Sequence, residues 1–150
     1  MINLPSKIKV HIIGIGGIGM SAIAEILLDL GCTLSGSDLN SNSNTEKLTL
    51  KGVKVFFGHE KENVHGVDLV VHSTAVAKDN VEILSAKELN IPCYRRSEIL
   101  SDIMRLKNGI AVAGTHGKTT TTSLVSTIFE ENGLDPSFII GGIVRNLNGH

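Results

Sequence analysis

Two glycine loops, each set between a short β-branched run and a helical pattern, constrain this chain more than any other feature. Gly14-Ile15-Gly16-Gly17-Ile18-Gly19 follows the run from Ile8 to Ile13, and Gly114-Thr115-His116-Gly117-Lys118-Thr119 follows the run from Ile110 to Ala113. A strand that turns through glycine and restarts as a helix leaves the first helical N–H groups unpaired beside the positive end of the helix dipole, which suits an anion. A helix that returns the chain to a neighbouring strand also makes the two strands parallel. The expected class is therefore α/β, a Rossmann-like doubly wound parallel sheet, followed by the start of a second unit built on the second loop.

The rest of the chain repeats the alternation. Thr33 to Ser37, Val53 to Phe57, Val67 to His72 and Ile91 to Tyr94 read as further strands, whereas Ile18 to Leu30, Glu46 to Lys51, Asn80 to Leu89, Ser97 to Leu106 and Thr119 to Asn132 read as helices. Gly31, Gly52 and Gly133 fall where a left-handed residue ends a helix. The polar turn Arg105-Leu106-Lys107-Asn108-Gly109 marks a boundary, giving domains 1–106 and 107–150. Asn40-Ser41-Asn42-Ser43-Asn44 is expected to be a polar loop, mobile without ligand.

The first loop matches G-x-G-x-x-G in the strand–turn–helix setting that this weak motif requires. Gly14 permits the turn, Gly16 lets backbone approach a diphosphate, and Gly19 allows the helix to pack closely on the strand. Asp38, nineteen residues past Gly19, ends the second strand where an acid would meet a ribose hydroxyl. The motif alone leaves a nicotinamide or flavin cofactor and another nucleotide diphosphate equally open.

The second loop carries Gly117-Lys118-Thr119 but has Val112 where a strict Walker A motif has glycine. Its working core survives: close backbone at Gly117, a mobile charge for β- and γ-phosphates on Lys118, and a hydroxyl for Mg²⁺ on Thr119. Threonines 119 to 122 cost helix propensity, which argues that they are not there for stability. A dehydrogenase has no use for such a second loop.

Composition removes other classes. Lys and Arg number 14 against 15 Asp and Glu, with no basic run longer than Arg95-Arg96, and the aromatics are one Tyr and four Phe, so nucleic acid is not an expected partner. Cys32 and Cys93 have neither metal-ligand nor disulfide spacing and are read as reduced, buried and small. No apolar stretch reaches a membrane span and the amino terminus lacks a signal-peptide pattern, so a soluble cytoplasmic protein without a membrane partner is expected.

With both loops in view the chain resembles the Mur ligases. Gly-Ile-Gly-Gly-Ile-Gly-Met-Ser at 14–21 and Gly-Thr-His-Gly-Lys-Thr-Thr-Thr at 114–121 look like the two family signatures, and His116 points to the alanine-adding member. Gly36-Ser37-Asp38, His72-Ser73-Thr74-Ala75-Val76 and Arg95-Arg96-Ser97-Glu98 are similar too. The resemblance implies peptidoglycan precursor synthesis by ATP-dependent ligation, with UDP-N-acetylmuramate and L-alanine as substrates and ATP and Mg²⁺ as cofactors. It assigns Gly16, Gly17, Ile18 and Gly19 to the UDP diphosphate, Asp38 to the uridine, and Ser73 and Thr74 to the same crevice. It assigns Gly114, Thr115, His116, Gly117, Lys118, Thr119 and Thr120 to ATP, with Lys118 and Thr119 catalytic and Thr119 on the metal. It further implies that 107–150 opens the family's central ATPase domain, whose remaining contacts lie beyond His150, so this chain alone is not expected to complete the reaction. A nicotinamide-dependent oxidoreductase and a ligase attaching a recycled peptide to the same UDP-sugar remain the alternatives.

Overall fold

The computed structural model describes residues 8–106 and 108–140. The chain divides into two compact units, Met1–Lys107 and Asn108–His150.

The first unit holds five strands, β1 (Lys9–Ile13), β2 (Thr33–Asp38), β3 (Lys54–Phe57), β4 (Leu69–His72) and β5 (Cys93–Arg95), all parallel in the order β3-β2-β1-β4-β5. Helices α1 (Ile18–Asp29), α2 (Ser43–Leu50), α3 (Val81–Glu88) and α4 (Arg96–Arg105) follow β1, β2, β4 and β5. A 3-10 helix, Lys61–Val64, stands in the crossover from β3 to β4, where no element was expected. The central strands are apolar because both faces are covered: Val10, Ile12, Ile13, Val70 and Val71 are all buried without measurable exposure. On one face Ile13 and Val70 pack with Val64, Ile83 and Ala86. Full burial of such a side chain contributes about 1.5–3 kcal/mol.

Strand order reverses at β1, with β2 on one side and β4 on the other, so the carboxyl ends of these three strands open a crevice, the usual ligand position in such sheets. Cys32 is buried as expected, whereas Cys93, also expected to be buried, is only half-buried at the sheet's edge strand, and neither forms a disulfide.

Two expectations about the elements change as well. The stretch 40–44 is not a free loop: α2 already begins at Ser43, three residues before the expected start, because Asn42 caps it by accepting from the N–H groups of Asn44 and Thr45, both at 3.0 Å. Thr45 Oγ1 in turn accepts from the Asn42 N–H at 2.8 Å, closing a reciprocal cap.

In the second unit, Ile110 to Ala113 pairs with no strand among the described residues, although a strand was expected there, and Phe138 to Ile140 is likewise unpaired. A β-branched run becomes a strand only when a neighbour accepts its ladder. The unit's one regular element among the described residues is α5 (Lys118–Glu131). No helix among the described residues is long and apolar enough to cross a membrane.

Candidate functional site: the two glycine loops

The first loop is fastened to β2. Ser37 O accepts from the N–H groups of Gly14 at 2.8 Å and Ile15 at 3.1 Å, which carries the turn across the sheet's carboxyl edge. Gly16 N–H donates to Asp38 Oδ2 at 2.8 Å, and Gly16 O accepts from Asn44 Nδ2 at 2.8 Å and Asn42 Nδ2 at 3.3 Å. Gly17 N–H turns back to Gly14 O at 3.2 Å. Among the described residues the N–H groups of Ile18 and Gly19, the first two of α1, then have no backbone acceptor. They are the open donors of the loop, and the helix dipole points through them.

This modifies the reading of two glycines. A Cβ on Gly16 would come within 2.6 Å of Asn42 Nδ2 and 2.9 Å of Asp38 Oδ2, so either group would have to shift and glycine here also serves the protein's own packing. A Cβ on Gly19 would overlap the Arg96 guanidinium rather than a strand. Arg96, the first residue of α4, therefore brings a cation beside Gly19. Glu98 Oε2 steadies that corner by accepting the Arg95 N–H at 2.7 Å.

A cavity of about 570 Å³ opens over the loop, within the range of small-molecule sites. Gly16, Gly17, Asp38 and Ser73 line it, so four of the expected residues converge. Ile18, half-exposed at the start of α1, Gly19 beside it and the exposed Thr74 do not line it. Asp38 is committed at both oxygens, Oδ2 to Gly16 and Oδ1 to the Leu39 N–H at 2.8 Å, and retains lone pairs for a hydroxyl.

Leu39, Asn42, His59, Val76 and Asn80 line the cavity without having been anticipated. Asn42 and Asn80 are the N-caps of α2 and α3, so ordinary helix-start chemistry masked them. His59 belongs to a buried polar cluster centred on Glu82. Ser37 Oγ donates to Glu82 Oε2 at 2.6 Å, His59 Nδ1 lies 2.9 Å from the same oxygen, and Asn63 Nδ2 donates to Oε1 at 2.7 Å. His11 Nε2 is 3.4 Å from Oε1 but forms no hydrogen bond, so it contributes a close contact rather than an aligned donor. Burial by itself would raise the Glu82 pKa, but the adjacent His11, the Ser37 hydroxyl and the Asn63 amide outweigh it and hold the acid at about 2.

In the second unit the loop enters α5 through Gly117, whose φ of 77° favours glycine. Lys118 Nζ folds back on the loop, donating to Gly114 O at 2.6 Å and Thr115 O at 3.3 Å. Gly114 to Thr120 are all exposed, so the loop and its ammonium group are open to a polyphosphate. Among the described residues no cluster of three or more His, Cys, Asp or Glu is placed to hold a metal.

Comparisons with known proteins identify the family. Residues 9–108 match the family described as Mur ligase family, catalytic domain. The chain is 55% identical over 141 residues to UDP-N-acetylmuramate–L-alanine ligase of Herminiimonas arsenicoxydans and 54% identical over 139 residues to that of Geobacter sulfurreducens, covering 93% of this chain in each case. It spans about 30% of the length of those relatives. Among solved structures, the UDP-N-acetylmuramate-alanine ligase of Thermotoga maritima superposes with a TM-score of 0.87 at 35% identity, covering 95% of this chain and 34% of that one. The UDP-N-acetylmuramate:L-alanyl-gamma-D-glutamyl-meso-diaminopimelate ligase of Neisseria meningitides also reaches 0.87, at 30% identity, covering 96% of this chain and 46% of the other. With its matched region spanning the whole five-stranded sheet and its glycine loop, the chain belongs to the Mur ligase family.

Proposed function

We propose that this chain supplies the UDP-N-acetylmuramate-binding unit and the ATP phosphate loop of a UDP-N-acetylmuramate–L-alanine ligase. The observation that carries the reading is the 52–55% identity, over 93–95% of the chain, to relatives of that name. The open N–H groups of Ile18 and Gly19, with Arg96 beside Gly19, suit the UDP diphosphate, and Asp38 at the end of β2, lining the cavity, suits the ribose or base. Lys118 suits the β- and γ-phosphates of ATP, and Thr119 a Mg²⁺ ion. ATP would supply the phosphoryl group that turns the lactyl carboxylate into an acyl phosphate with release of ADP, and attack by the amine of L-alanine would then break the acyl–phosphate bond, expelling inorganic phosphate as the amide forms. Lys118 would leave its loop carbonyls to neutralise charge on the transferred group.

A ligase for a recycled peptide is the second reading, favoured by the equal TM-score of the Neisseria enzyme. The higher identity to the alanine-adding relatives places it second. Thermal shift tests the substrate class. A ligand that binds only the folded chain, present at one hundred times its Kd, adds about 2.7 kcal/mol of stability. UDP or UDP-N-acetylmuramate should raise the melting temperature and NAD should not; stabilisation by NAD with none by UDP would sink the reading.

A further inference from the structure

Glu82 takes no part in the site so far, yet its surroundings assign it one. It is fully buried in the first turn of α3 and, with its acid held near 2, is ionised at neutral pH. An ionised carboxylate only accepts hydrogen bonds, so each group bonded to it must donate. Ser37 and Asn63 do so with their own protons, and His59 can do so only by carrying a proton on Nδ1. The Ser37 oxygen, whose proton points to Glu82, lies 3.1 Å from the same Nδ1 as a second acceptor. In the neutral ring this leaves Nε2 as an acceptor, and among the described residues it has no protein partner. His59 lines the cavity, with its side chain 18% exposed.

We propose that Glu82 is a positioning residue of the glycine-loop cavity: it fixes His59 as the Nδ1–H tautomer, so that Nε2 is offered as a hydrogen-bond acceptor to an O–H or N–H donor of the bound nucleoside diphosphate. The same carboxylate holds the Ser37 side chain, whose main-chain oxygen anchors Gly14 and Ile15, so one buried group sets both the loop and the ring beside it. The identity of the ligand rests on the proposed function; the tautomer does not.

The test is long-range ¹H–¹⁵N NMR of the imidazole nitrogens on the 150-residue chain at about pH 8, where an ordinary histidine is neutral, with UDP titrations by calorimetry. Wild-type His59 should show a protonated Nδ1 and an unprotonated Nε2. In Glu82→Gln, Asn63 keeps the amide oxygen opposite it, so the new NH₂ faces His59 Nδ1, which must then accept. The ring should convert to the Nε2–H form, and UDP affinity should fall about tenfold or more as an acceptor becomes a donor. A wild-type Nε2–H ring, a Glu82→Gln ring still protonated at Nδ1, or UDP affinity in that variant within twofold of wild type would each overturn the proposal. Should Glu82→Gln fail to fold, the wild-type tautomer decides alone. A wild-type chain that binds no UDP removes the ligand assignment, and the same tautomer measurement still decides the role of Glu82.

Discussion

Replacing Gly16 and Gly17 separately by alanine divides the two demands that the first loop must meet. At position 16 the new methyl would sit 2.6 Å from Asn42 Nδ2, 2.9 Å from Asp38 Oδ2 and 3.0 Å from Thr45 Cγ2. Relief requires turning Asn42, whose Oδ1 caps α2, or pulling Asp38 off the Gly16 N–H. Loss of an N-cap costs about 1 kcal/mol and loss of a hydrogen bond to a charged group about 1.5–3 kcal/mol. The first route puts Gly16→Ala about 1 kcal/mol below wild type and the second about 1.5–3 kcal/mol below it. At position 17 the φ of −66° is ordinary for alanine and the nearest atom to the new methyl is Gly14 O at 3.4 Å, so Gly17→Ala should lie within about 0.5 kcal/mol of wild type. Both variants should lose UDP affinity if the loop holds a diphosphate, and only the first should lose stability. Urea unfolding followed by circular dichroism, with calorimetry on UDP, reads both. Equal stability of Gly16→Ala and wild type, or a Gly17→Ala variant as unstable as Gly16→Ala, would refute the packing argument.

The depressed pKa of Glu82 gives the fold a pH dependence. With a folded value of about 2 against an ordinary 4.5, this group's stabilisation is present above pH 4.5 and is lost as pH falls towards 2. The shift is worth about 3 kcal/mol in all, so wild type should lose about 2 kcal/mol more than Glu82→Gln between about pH 6 and pH 3; parallel losses in urea unfolding would count against it. Hydrogen exchange should find amides of Lys118–Glu131 opening well before those of Lys9–Ile13, because Ser126 is the one buried residue of α5 among those described while Leu124 is 62% and Ile128 57% exposed. Equal protection of the two segments in a monomer would overturn that expectation.

The sequence by itself determined the parallel sheet, the helices between its strands and the position of the first loop at the sheet's edge. Periodicity and glycine punctuation are local signals, and β1 to β5 and α1 to α5 lie within a few residues of where they were read. It could not place the start of α2, because Asn42 and Thr45 look like loop residues until their reciprocal cap is seen. Nor could Ile110 to Ala113 be told from a strand, since its β-branched residues meet the local criterion and only a neighbouring strand completes it. Tertiary structure alone decided the partners of Glu82. An acid in a helix's first turn is the commonest surface feature of such a helix, and the three groups hydrogen-bonded to this one stand 19, 23 and 45 residues away in sequence. His59 and Ser37 acquire their orientation only when β2, the segment after β3 and α3 meet beneath the cavity, because a buried carboxylate must gather donors from whatever elements surround it.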